Sequence, residues 1–336
     1  MLAEIAILLV SLGIILVGAE VFTNGVEWLG KKLCLNEGAV GSILAAVGTA
    51  LPETMIPVIA ILFGGGHAEA SHIGIGAILG APFMLGTLAF FITGIAVMVN
   101  KRKRPDYPRM HINTEIMSRD LAFFLVVYSV AIAAAFLNGH FWKQIVAVFL
   151  VAAYAIYVYK TLVQECDTDE GEELSPLIFA KKNPDPSTGI VVLQVLAALG
   201  LIVVGAKFFV GSVEFLAEAF HIPAFILALI IAPVATELPE KFNSIIWVSQ
   251  GKDTLALGNI TGAMVFQSSV IPAIGITLTP WELTTGAFIS AALALSSALL
   301  VYLQIRAKKH LTPGTLLVGG IFYLVFVTFV ITGVIH

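Results

Sequence analysis

Two short stretches decide how this chain is read: Gly48-Thr49-Ala50-Leu51-Pro52-Glu53 and Ala235-Thr236-Glu237-Leu238-Pro239-Glu240. Each sets a proline and a carboxylate inside a run that is otherwise apolar for longer than a helix needs to cross a bilayer. An ionised carboxylate in hydrocarbon is strongly disfavoured unless something neutralises it. A proline there removes one N–H from the helical ladder and releases backbone carbonyls. Two buried carboxylates with two sets of released carbonyls describe an oxygen cage for a hard cation.

The surrounding sequence sets the medium. Of 336 residues, 58% are hydrophobic and 12% are charged, against roughly a quarter charged in soluble domains. The apolar residues fall in runs of about 18–28, long enough to span a membrane as helices. Ten such runs are expected, at about 2–30, 37–63, 71–99, 118–138, 141–163, 189–219, 222–249, 254–279, 281–305 and 312–335. The first begins at Leu2 with no basic leader or small-residue cleavage signal, so it reads as a retained span. A net charge of −4 argues against a nucleic-acid partner. Cys34 and Cys166 are expected to be free thiols near cytoplasmic helix ends. No phosphate-binding loop, zinc-ligand spacing or Ser-His-Asp set appears, which argues against an enzyme and against a bound cofactor.

Charge orients the chain. Lys31-Lys32, Lys101-Arg102-Lys103-Arg104 with Arg109 and Arg119, Lys181-Lys182, Lys252, and Arg306 with Lys308-Lys309 all fall on one side of a ten-span chain. The opposite loops carry no Lys or Arg, although Lys143 lies just inside the fifth span. The positive-inside rule then places both termini outside, in a plasma or inner membrane.

The two halves repeat. Gly18-Ala19 matches Gly205-Ala206, Glu27 matches Glu214, and Thr49, Pro52 and Glu53 match Thr236, Pro239 and Glu240 at one common offset. Gly80 and Gly262 continue the match with a loop shorter by five residues (offset 187 against 182). Five spans per half is an odd number, so the copies enter the membrane from opposite sides. The fold expected is an all-α integral membrane protein, ten transmembrane helices in two five-helix inverted-topology repeats. The repeats occupy 1–163 and 188–336, joined by a cytoplasmic linker at 164–187. That linker holds Asp167, Asp169, Glu170, Glu172 and Glu173, a solvated hinge or a regulatory cation site.

Within this frame Glu53 and Glu240 are the candidate metal ligands. Two facing carboxylates repel in low dielectric, and either a divalent cation or protonation relieves the repulsion. Thr49 and Thr236 lie one helical turn before each Glu, and offer carbonyl ligands or else bond their hydroxyls back to their own helices. Glu237, with Ala50 at the matching position, is a third site carboxylate or proton acceptor, or else pairs with Lys241 or Lys207. Asn259 and Gln267 offer neutral oxygens or serve as helix–helix glue, as do Asn24, Asn243 and Thr261. Glu20 and Lys207 occupy matching positions and suggest a charge pair between the halves. Gly74, Gly76, Gly80, Gly258 and Gly262 have the spacing of close helix packing.

The two signatures resemble the G-T-S-x-P-E motif of the alpha-repeats in the cation/calcium exchanger superfamily. Gly258-Asn259-Ile260-Thr261-Gly262 is similar to the start of the G-N-x-x-G-S-N segment that follows it. The resemblance covers nearly the whole chain. It implies antiport of Ca²⁺ against Na⁺ or H⁺ by alternating access, with Glu53 and Glu240 as central ligands and Thr49 and Thr236 supplying carbonyls. The partners implied are the lipid bilayer and inorganic cations. This chain departs from the motif at Ala50, Glu237, Ala77, Ala81 and Ala263-Met264, where Ser or Asn is usual. Those departures put multiple Na⁺ sites in question. The stretch Phe266 to Pro272 is similar to proton-coupled members. A divalent-cation channel or uniporter, and a non-transporting membrane sensor, are the rival readings.

Overall fold

The computed structural model describes residues 2–32, 51–63, 68–165, 175–220 and 222–335. Described backbone is helical apart from turns and one isolated bridge. In chain order the helices are α1 (Leu2–Lys32), α2 (Leu51–Phe63), α3 (Ala68–Met84), α4 (Phe90–Val99), α5 (Thr114–Ala133), α6 (His140–Glu165), α7 (Thr188–Phe220), α8 (Ala224–Ser249), α9 (Asp253–Gln267), α10 (Val270–Leu278), α11 (Thr285–Lys308) and α12 (Pro313–Ile331). Among the described residues eight segments are long and apolar enough to cross a membrane, and shorter apolar helices at Thr54–Phe63 and Ala224–Val234 fall on the expected second and seventh spans. Cys34 and the first half of the second span, with Thr49, lie outside the described residues, as do Cys166 and the acidic run of the linker.

Two spans are interrupted. α3 runs into α4 through a π turn at Leu85–Ala89. α9 and α10 are parted at Ser268-Ser269, both fully buried. There Ser269 donates to the Val265 carbonyl at 2.7 Å and Ser268 to the same carbonyl at 3.1 Å. Hydroxyls thus satisfy a carbonyl that a continuous helix would have bonded through its backbone.

Small residues set the tight contacts. A Cβ at Gly76 would lie 2.4 Å from the Phe225 carbonyl oxygen, and one at Gly80 2.3 Å from that of Leu229. Glycine at both positions therefore lets α3 lie backbone-to-backbone on α8. The Leu229 carbonyl projects there because Pro233, four residues on, has no N–H to offer it. α1 and α7 pack the same way, Gly18 against Ile202 and the Ala198 carbonyl, Gly205 against Ile15 and the Ser11 carbonyl. Gly258 and Gly262 have nothing within 4 Å among the described residues. Glu20 and Lys207 are exposed and form no ion pair among the described residues. Each lies two residues beyond the packing glycine, so its side chain leaves on the far side of its helix.

The end bearing the basic loops is held by polar contacts. Arg104 grips Asp253 with both Nη atoms at 2.6 and 2.7 Å, and its Nη2 also donates to the Val248 carbonyl at 2.6 Å. Asp253 accepts the His111 backbone N–H as well. Asn113 caps α5 by accepting from the N–H groups of Glu115 and Ile116, and Met110 pairs with Leu311. The linker tail plugs the ends of α1 and α7. Leu177 is fully buried beside Trp28 and Val191. Gln194 accepts from the Phe179 N–H at 2.8 Å and donates to the Val21 carbonyl and to Asn24. At the opposite end Lys143 donates to the Pro280 carbonyl at 2.6 Å, and Trp281 Nε1 to that of Ala131 at 2.9 Å.

Candidate functional site

α8 is the central helix of the site. It carries Thr236, Glu237 and Glu240, and packs against α2, α3 and α9. Pro233 and Pro239 leave the Leu229 and Ala235 carbonyls without helical donors. On α2, Glu53 stands in the first turn, and Pro57 does the same for the Glu53 carbonyl. Thr236 is buried, and its hydroxyl donates to the Ala232 carbonyl at 3.0 Å. The hydroxyl is thereby engaged by its own helix, and what Thr236 has left to offer a ligand is backbone. The side chains of Glu53, Glu237, Glu240 and Asn243 are outside the described residues.

α8 ends in a Schellman turn. Gly251, at φ +76°, takes the left-handed position, with its N–H on the Val248 carbonyl and the Lys252 N–H on that of Trp247. α9 then returns antiparallel. Ser244, buried on α8, donates to the Ala256 carbonyl of α9 at 3.4 Å and fixes the register. At a rise of ~1.5 Å per residue, Glu240 lies about 6 Å from Ser244 along α8 and Asn259 about 4.5 Å from Ala256 along α9, in the same direction. Asn259 is therefore level with Glu240 to within a turn, and it is partly exposed. Gln267 is buried at the end of α9, about two turns further along. Ala77 and Ala81, where the motif has polar groups, are packed into the apolar interior of α3.

A second buried carboxylate, besides Asp253, is not among the sequence candidates. Asp120 on α5 is buried, and its Oδ1 accepts the Tyr157 hydroxyl at 2.7 Å and Arg119 Nε at 3.3 Å. Its Oδ2 accepts the Thr261 hydroxyl from α9 at 2.9 Å. The signal in the sequence is a carboxylate two residues into the expected fourth span. Beside Arg119, it reads as a surface ion pair.

A profile described as sodium/calcium exchanger protein matches residues 3–163 and 190–332. The chain belongs to that family. The match covers both halves of a membrane-spanning transporter family, which is not an enzyme class. The chain is 23% identical over 326 residues to inner membrane protein YrbG of Escherichia coli, covering 95% of each. Its fold matches the solved structure of an H⁺/Ca²⁺ exchanger, CAX, with a TM-score of 0.75 at 16% identity, over 98% of this chain and 82% of that one. The sodium-calcium exchanger NCX_Mj gives 0.58 at 18% identity, over 97% and 98%. In this exchanger-family chain the helices that interlock through glycine, α3 with α8 and α1 with α7, are those that bear or flank the two signatures.

Proposed function

We propose that this chain is a secondary antiporter that exchanges a divalent cation, Ca²⁺ first among them, for a second cation by alternating access. The observation that carries the reading is the setting of α8. That helix bears Thr236 and Glu240 in sequence and packs against α2, whose first turn holds Glu53, and against α9, where Asn259 is level with Glu240 along the axis, which supports the reading. Carboxylates, proline-released carbonyls and an amide oxygen form the donor set that a hard divalent cation takes. The ten-span arrangement in two inverted repeats, 1–163 and 188–336 about the 164–187 linker, belongs to the same proposal. The reciprocal seating of Gly18 and Gly205, and a family match that breaks between 163 and 190, support it. Thr49 and Thr236 carbonyls, Glu237 and Gln267 complete the proposed ligand set. Both termini lie outside, because the basic loops share one end.

Protons are the counter-ion this chain favours. Sodium needs several oxygens, and Ala77 and Ala81 present packed methyl groups where they would be. A proton needs one carboxylate, and competition between H⁺ and a divalent cation for the same carboxylates is a physical basis for exchange. The test is uptake of radiolabelled Ca²⁺ by proteoliposomes with a clamped membrane potential, under an imposed pH gradient and then an imposed Na⁺ gradient. Uphill accumulation driven by the pH gradient alone is expected. Accumulation only with Na⁺ returns the chain to sodium coupling, and passive flux under both conditions makes it a channel.

A further inference from the structure

The buried threonines of the spans mostly bond to their own helices. Thr87 donates to the Phe83 carbonyl, Thr93 to that of Ala89 and Thr236 to that of Ala232, each one turn back. Thr261 departs from this habit. It is fully buried, and its closer acceptor is not the Gly258 carbonyl at 3.5 Å but Asp120 on another helix at 2.9 Å. Asp120 is itself fixed. Tyr157 and Arg119 hold its other oxygen, and the Arg119 guanidinium lies over the Tyr157 ring at 5.1 Å. A carboxylate with charge-assisted bonds from three donors is a rigid acceptor.

α9 is thus gripped at two points. Ser244 of α8 holds it through the Ala256 carbonyl, and Asp120 of α5 holds it through Thr261. Asn259 lies three residues beyond the first grip and two before the second. At ~100° per residue it is about 200° around the helix from Thr261, so the bond to Asp120 sets the angle at which Asn259 is presented away from α5. We infer that Asp120 is a positioning residue of the cation site. It acts through Thr261 to fix the rotation of α9 and with it the presentation of Asn259. This rests on the antiporter reading for its functional consequence, not for the rotation itself.

Two readouts on purified protein test it, in a background with Cys34 and Cys166 replaced by Ser. The first is the rate at which Asn259→Cys reacts with a small thiol reagent, alone and combined with Thr261→Val, Asp120→Ala or Asp120→Asn. Thr261→Val keeps the shape of the side chain and loses only the donor. Thr261→Val and Asp120→Ala are expected to change the labelling rate severalfold, and Asp120→Asn, which keeps an acceptor oxygen, to stay near the parent rate. The second readout is Ca²⁺ transport with Asn259 intact. The same two variants are expected to raise half-saturating Ca²⁺ about tenfold and alter the Ca²⁺ to Sr²⁺ preference, both independent of how much protein is folded, with Asn again close to wild type. Labelling rates that stay at the parent value in monodisperse Thr261→Val and Asp120→Ala protein overturn the inference, whatever the transport result. Loss of maximal rate alone, with affinity and ion preference unmoved, overturns it too. If the wild type carries no divalent cation, the antiporter reading fails while the labelling rates still decide the rotation.

Discussion

Charge and size at single positions carry most of this account. Glutamine keeps the shape of glutamate but not the charge that offsets the dehydration of a divalent cation. Glu53→Gln and Glu240→Gln are each expected to lower divalent transport more than about tenfold, a loss of ~1.4 kcal/mol or more in binding, with expression and melting temperature unchanged. Transport near the wild-type rate in either would remove that residue from the ligand set. Gly80 tests packing. A Cβ there would meet the Leu229 carbonyl oxygen at 2.3 Å, and backbone cannot step aside as a side chain does. Gly80→Val is expected to destabilise the protein by about 1–3 kcal/mol, read as a lower melting temperature in detergent. Glu53 and Glu240 stand out in the sequence because a proline and a carboxylate in an apolar run have few bland explanations, and their role as ligands rests on the proposal. Asp120 does not stand out, because its partners Tyr157 and Thr261 are 37 and 141 residues away, and only the folded chain sets them around it.

Between elements, the joints at the basic end differ in strength. Arg104 and Asp253 are buried together, so Arg104→Ala strands a carboxylate and is expected to cost about 3–5 kcal/mol. Gln194→Leu leaves the Phe179 N–H and the Val21 carbonyl without their bonds and is expected to cost about 1–3 kcal/mol. Lys32 also pairs with Asp185, whose hydrogen bond and opposite charge hold its carboxyl below the ordinary range. A lowered folded-state pKa adds stability above the unfolded value and loses it as pH falls through the folded one. Asp185 is fully exposed, however, and solvent screens the pair. Asp185→Asn should therefore leave the melting temperature unchanged from neutral into acid pH, while Gln194→Leu lowers it throughout. Hydropathy located these helices because membrane spans declare themselves by length. It did not show the breaks at Leu85–Ala89 and Ser268-Ser269, since a π turn or a two-residue gap leaves the apolar run intact. The linker read as polar from its acidic run, which hid Leu177 and its buried seat between α1 and α7.

For the molecule as a whole, the proposal requires two repeats facing opposite ways around one cation site. Single cysteines at Lys103 and Asn138, both exposed, should react with an impermeant thiol reagent from opposite sides of the membrane, Lys103→Cys from the cytoplasm. Reaction of both from one side would break the ten-span topology and the inverted repeat with it. The central claim is a divalent-cation site that opens to one side at a time, and tracer counterflow tests it without reference to the counter-ion. Proteoliposomes loaded with unlabelled Ca²⁺ are diluted into a trace of radiolabelled Ca²⁺, at equal pH, without sodium and with the membrane potential clamped at zero. An alternating site exchanges internal for external Ca²⁺, so the label should transiently accumulate inside above its equilibrium level, and should not do so with Glu240→Gln. A label that only rises to equilibrium in the wild type, or an overshoot that survives in Glu240→Gln, would contradict the account.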